Sequence, residues 1–218
     1  MSTSVSDEVS SAFLEALIEG DLSVCAGIVE TLQRTDTPVL RIYKDLFQVS
    51  LYRVGQLWET NVVSVATEHL ATAIIETLMN RLFATLPLAE RNRKRVIIGG
   101  VEHEYHQVGA RMTSDLFQMH GWDSYFLGGN VPRHDLEDLV LNKKPDLVGL
   151  SITQYFNLEY LLKTIDQLYR RNKEIEIVVG GQGANRMASK VGVEFPNTKV
   201  IGNWDSLMTF LGGQEVRL

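Results

Sequence analysis

The apolar residues of this 218-residue chain change their spacing near residue 86, and that change constrains the fold more than any other feature. Up to residue 85 they recur at helical intervals. Phe13, Leu14, Leu17 and Ile18 share one helical face, and Gly20 is a stop signal. Asp21 is placed to cap a second helix that reaches Arg34, with Leu22, Cys25, Ile28, Val29 and Leu32 inward. Pro38 suits the start of a third helix, whose apolar positions Leu40, Tyr43, Leu46, Phe47, Leu51, Val54 and Trp58 carry it to about residue 58. After the turn Glu59-Thr60-Asn61, a fourth runs from Val63 to Thr85. Four helices with short connections predict an antiparallel four-helix bundle over residues 7–86.

Beyond the polar, proline-marked linker from Leu86 to Lys94, short apolar runs alternate with helical stretches. Strands are expected at 95–101, 123–127, 146–151, 174–179 and 199–201. Helices are expected near 107–120, 133–142, 156–172, 184–192 and 204–212. Repeated βα units with right-handed crossovers predict a five-stranded parallel sheet, doubly wound in the Rossmann or flavodoxin manner, over residues 95–218. The fold class is therefore all-α followed by α/β. Such sheets bind ligands at the carboxyl ends of their strands.

Three of those ends carry chemistry. After the first strand comes Glu104-Tyr105-His106-Gln107-Val108-Gly109, an acidic-x-His-x-x-Gly pattern that opens a helix. The third strand ends in Ser151-Ile152-Thr153 and the fourth in Gly180-Gly181. A neutral imidazole is a good ligand for a transition metal, and a carboxylate two residues away can fix its tautomer. Gly109 leaves space at the helix start, and Gly180-Gly181 leaves space beside the fourth strand. In the helical half, Trp58, nine intervening residues and then Glu68-His69 form a pattern expected by chance about 0.01 times at this composition. The αα turn between them brings Trp58, Glu68 and His69 towards one face.

These residues resemble the cobalamin-binding domain shared by methionine synthase, corrinoid mutases, methyl-corrinoid carriers and cobalamin photoreceptors. The family carries the acidic-x-His-x-x-Gly, Ser-x-Leu/Thr and Gly-Gly motifs in this order. The resemblance implies cobalamin held base-off and His-on, with His106 as the lower axial cobalt ligand and Glu104 and Ser151 completing a triad. It also implies that Gly109, Thr153, Gly180 and Gly181 line the cofactor. The Trp58…Glu68-His69 pattern is similar to the helical cap of CarH/LitR-type photoreceptor regulators, where such residues pack around the adenosyl group. By this resemblance the chain is a sensor rather than an enzyme, with adenosylcobalamin held between bundle and sheet and light as its signal. A methyl-corrinoid carrier subunit using methylcobalamin is the alternative reading, and a haem sensor a weaker one. Two departures stand out. Glu59 occupies the place where the photoreceptors have a second, light-state histidine, and no helix-turn-helix domain is expected ahead of the bundle.

Composition narrows the partners. Against 21 Lys and Arg stand 27 Asp and Glu, a net charge of −6 that disfavours direct DNA binding. The signal then passes to a separate transcription regulator or other protein, with homo-oligomerisation open. No apolar run approaches the ~18 residues of a membrane span, and the start MSTSVSDEVS lacks a signal-peptide pattern, so a cytoplasmic protein is expected. Cys25, alone, excludes an internal disulfide and multi-cysteine metal sites, and reads as a small core residue. His103-x-x-His106 has zinc-like spacing but no further ligands, and Gly181-Gln182-Gly183 is not a dinucleotide motif because it follows the fourth strand. The basic residues Arg91, Arg93, Lys94 and Arg95 read as a solvated linker, and His120 and His134 as carrying no chemistry.

Overall fold

The computed structural model describes residues 5–86, 88–187 and 194–212, which fall into a helical unit ending near residue 87 and a sheet unit beginning at Leu88. The helical unit contains the four expected helices. Helix α1 (Asp7–Glu19) starts on the Ser6 cap and ends at Gly20 in the left-handed region, with φ 78. Helix α2 (Leu22–Arg34) is capped by Asp21, whose side chain accepts from the Val24 N–H at 3.0 Å. Helix α3 comprises Val39–Arg41, a π-helical segment Ile42–Gln48 and then Val49–Glu59. Helix α4 (Val65–Phe83) is capped by Ser64.

Apolar stripes from all four helices meet in one core. Phe13 stacks on Phe47 at 5.7 Å between ring centroids, and Tyr43 lies 6.0 Å from Phe47. Cys25, Val29, Ile75 and Leu78 are buried with them, and burial raises the Cys25 thiol pKa to about 11, with Asp21 adding to the shift. The π segment adjusts the register of α3. Ile42, Tyr43, Leu46 and Phe47, all within this segment, are buried. Trp58 departs from expectation, because at the last turn of α3 it is 44% exposed and contributes little to the core.

The sheet unit runs β1 (Arg95–Gly100), α5 (Val108–Met119), β2 (Asp123–Phe126), α6 (Arg133–Lys143), β3 (Leu147–Ser151), α7 (Leu158–Arg171), β4 (Glu176–Gly180), β5 (Thr198–Val200) and α8 (Trp204–Leu211). All pairings are parallel, in the order β2-β1-β3-β4-β5. This is the flavodoxin-like form of the doubly wound sheet, and its order reverses between β1 and β3. Strands β1 and β3, buried along nearly their whole length, are apolar on both faces as a covered parallel sheet requires. Phe117 of α5 meets Phe210 of α8, while Glu137 of α6 accepts from Gln167 and Arg171 of α7. Each helix pair covers one face.

Two expectations change. The helix expected over 184–192 begins as a 3-10 segment, Gln182–Met187, and residues 188–193 lie outside the described residues. The linker is also not simply solvated. Ala89 N–H donates to Met119 O, Asn92 N–H to Gly121 O, and Arg91 pairs with Asp123 at 3.0 Å. Gly121 makes this possible, since a Cβ there would lie 2.3 Å from Glu90 O. No described helix is long and apolar enough to cross a membrane.

Candidate cobalamin site

The reversal of strand order puts the loops after β1 and β3 side by side, and Glu104 lies where they meet. Its carboxylate is fully buried and receives five N–H groups. Oε1 accepts from His106 N at 3.0 Å and from His106 Nδ1 at 2.6 Å. Oε2 accepts from Thr153 N at 2.8 Å, Gln154 N at 2.9 Å and Asn157 Nδ2 at 3.2 Å. Burial alone would raise the Glu104 pKa, but the bonds from His106, Gln154 and Thr153 outweigh it and bring it down to about 2. The group is therefore a carboxylate at neutral pH and can only accept. Its contact with Nδ1 then requires the proton on that nitrogen, which in a neutral imidazole leaves the lone pair on Nε2. The imidazole is half exposed.

The loop that carries this pair is held tightly from below. Asn130 N–H donates to Glu104 O at 2.7 Å, and the Asn130 side chain accepts from His103 N–H at 2.8 Å. Gly100 and Gly129 press on the same carbonyl, since a Cβ at either would lie 2.9 or 2.7 Å from Glu104 O. Neither the Gly128-Gly129-Asn130 turn after β2 nor Asn157 is anticipated from the sequence. The turn has a signal, a Gly-Gly-Asn run at a strand end; Asn157 has none, because nothing in its neighbours marks it as buried.

The expected site residues are distributed as follows. Glu104, His106 and Thr153 are brought together, Thr153 through its backbone. Ser151 closes β3 and is buried, but the donors on Glu104 Oε2 are Thr153, Gln154 and Asn157 rather than its hydroxyl. Gly109 lies in the first turn of α5, and a Cβ there would meet nothing within 4 Å. No neighbouring protein atom requires glycine at that position, and open space in the turn after His106 fits a bulky planar ligand. Gly181 has the opposite explanation. Its φ is +98, and a Cβ would lie 2.2 Å from Ile152 O, so the protein's own backbone demands glycine. Gly180 ends β4 without such crowding.

Gly181→Ala is accordingly expected to destabilise the sheet unit by roughly 3 kcal/mol or more, the sum of backbone strain and overlap. Gly109→Ala should leave the apo stability unchanged or raise it by up to about 1 kcal/mol. Urea denaturation of the two variants checks the contrast, and equal effects would refute it.

In the helical unit, Trp58 ends α3 while Glu68 and His69 stand in the first turns of α4. Glu68 Oε2 lies 2.7 Å from His69 Nδ1, and Oε1 accepts from Thr72 Oγ1 at 3.1 Å. The His69 side chain is 75% exposed. The remaining histidines have local partners. The His103 ring packs on Tyr160 at 4.5 Å, His120 Nδ1 lies 2.8 Å from Leu116 O, and His134 lies 3.4 Å from Asp135. Among the described residues no group of three His, Cys, Asp or Glu side chains is arranged to hold a metal by itself.

Comparison with known proteins agrees with this geometry. Residues 94–195 match a family described as B12 binding domain, and residues 9–83 match a second family of the same description. The chain belongs to the B12-binding family. Its ligand is accordingly a cobalamin or related corrinoid. The HTH-type transcriptional repressor CarH of Myxococcus xanthus is 30% identical over 148 residues, 67% of this chain and 49% of the repressor. The chain therefore spans about half the length of that relative. Dimethylamine corrinoid protein 3 of Methanosarcina acetivorans is 24% identical over 165 residues, 74% of this chain and 78% of that protein. Among solved structures, the monomethylamine corrinoid protein of Methanosarcina barkeri superimposes with a TM-score of 0.81 over 96% of this chain and all of that one, at 15% identity. That likeness establishes a shared fold.

Proposed function

We propose that the chain is a cobalamin-dependent light sensor that takes adenosylcobalamin, with His106 as lower axial ligand, and signals to a separate regulatory protein. The observation that carries this reading is Trp58, a large apolar ring left 44% exposed at the end of α3, with the Glu68–His69 pair at the start of the next helix. Burying such a ring only when a bulky apolar upper group is present gives a ligand-dependent change in the helical unit. The chemistry that the cofactor supplies is a cobalt–carbon bond that visible light breaks. The chain's own residues hold and report. Glu104 orients His106, the open space at Gly109 admits the ring, and Trp58, Glu68 and His69 respond to the upper group. Glu59, whose side chain offers only oxygen, takes no part as a nitrogen ligand.

A second reading, a methyl-corrinoid carrier, is favoured by length, because the chain aligns with 89% of dimethylamine corrinoid protein 2 of Methanosarcina acetivorans. Against it, His106 is followed by Gln107-Val108-Gly109-Ala110-Arg111 rather than the Asp-Ile-Gly-Lys-Asn run of the carriers it would resemble. Absorption spectra and size-exclusion profiles of the protein with adenosylcobalamin, dark and after green light, separate the two. The sensor shows a light-driven change in both spectrum and hydrodynamic size. No change in size, together with preferential uptake of methylcobalamin and methyl transfer to a thiol, assigns the carrier role instead.

A further inference from the structure

Asn157 closes the 3-10 segment Tyr155–Asn157 that leads directly into α7, so it lies within the helical run rather than at an extended helix start. It makes no capping bond. Its side chain is 1% exposed, with Nδ2 donating to Glu104 Oε2 at 3.2 Å and to His103 O at 3.0 Å. Both neighbours are acceptors, so the amide cannot be reversed without setting oxygen against oxygen. The consequence is visible on its other atom. Among the described residues, Asn157 Oδ1 is the buried side-chain polar atom that finds no hydrogen-bond partner. A buried orphan carbonyl is unfavourable. Selection for stability alone would remove this arrangement.

We infer that Asn157 is the positioning residue of the His106 site, and that its amide is held on Glu104 at the expense of leaving its own carbonyl oxygen unpaired. Two of the three donors on Glu104 Oε2 are main-chain groups after β3, which leaves Asn157 as the side chain that sets how the carboxylate is rotated. Rotation of that carboxylate moves Oε1, and Oε1 fixes the Nδ1 proton and the plane of the His106 ring. By also holding His103 O, Asn157 pins the residue whose φ of 65 turns the loop towards the site. One amide thus ties the loop after β1 to the start of α7 and locks the tautomer in which Nε2 carries the lone pair.

The test uses the full chain with Asn157→Leu, which keeps the volume and loses the amide, and Asn157→Ala, which removes the amide without adding bulk. Imidazole nitrogen chemical shifts of His106 in the apo protein report the tautomer, and titration with aquacobalamin reports affinity. Both variants are expected to show a mixture of tautomers where the wild type shows one, and a loss of affinity of about 10- to 100-fold, the usual effect of removing an outer partner of a metal ligand. A single wild-type tautomer with wild-type affinity in either folded variant overturns the inference. Only the affinity measurement rests on His106 being the axial ligand. If His106→Ala also binds aquacobalamin normally, that ligand role fails, and the tautomer in the apo protein still decides the role of Asn157.

Discussion

His106→Ala is expected to abolish the His-on absorption spectrum of the adenosylcobalamin complex and to weaken binding by at least roughly 100-fold, since loss of an outer partner already costs 10- to 100-fold. This imidazole is the one that the proposed function assigns to cobalt. Glu104 fixes its tautomer at 2.6 Å, and half of the ring is accessible. Two other histidines serve as controls. His103 is packed on Tyr160 and engaged through its backbone, and His120 is turned onto Leu116 O, so alanine at either position should leave the spectrum intact. Because the site is half open, exogenous imidazole should restore part of the spectrum in His106→Gly. A His-on spectrum that survives in His106→Ala would refute the assignment of the ligand.

Much of this architecture is written in local sequence, for identifiable reasons. The sheet unit was legible because its central strands β1 and β3 are buried on both faces and so read as continuous apolar runs, and the short βα connections leave little choice of topology. The helical unit was legible through the helical spacing of its apolar residues and the Asp21 cap, whereas the Ser64 cap that starts α4 at Val65 was not. Tertiary context set the rest. The π segment of α3 has no signal in the helical spacing, and Phe47 within it stacks on Phe13 of another helix. The role expected for Gly181, space for a ligand, is joined in the structure by a demand from Ile152 O, which belongs to a different βα unit. Asn157 was invisible for the same reason. Its partners Glu104 and His103 lie more than fifty residues upstream, and only the folded loops bring them within 3.2 Å. The pair Glu104–His106 was readable because both of its members sit within one turn of chain.

The second large effect concerns Glu104 and needs no cofactor. Its pKa is brought from 4.5 to about 2 by the donors that surround it, although burial opposes this. A carboxylate with a depressed folded-state pKa stabilises the fold above its unfolded pKa, and that stabilisation is lost as pH falls through the folded value. A fall from 4.5 to about 2 corresponds to about 3 kcal/mol. This contribution is complete above about pH 5 and disappears between pH 4.5 and 2. Glu104→Gln removes it at all pH values and adds a mismatch, because one amide nitrogen must then face N–H groups that have no other acceptor. At pH 7 the variant should be less stable by about 3 kcal/mol or more, and the gap should narrow steadily as the pH is lowered from 4.5 towards 2. The two units unfold separately in principle, so the measurement needs a probe confined to one of them. Of the three tryptophans, Trp58 lies in the helical unit and Trp122 and Trp204 in the sheet unit. In a Trp58→Phe background, tryptophan fluorescence during urea unfolding therefore follows the sheet unit alone. Parallel pH profiles with and without the Glu104→Gln substitution would show that the carboxylate is not held by these bonds. Converging profiles would show that the same five donors that orient His106 also hold the loop on which it is carried.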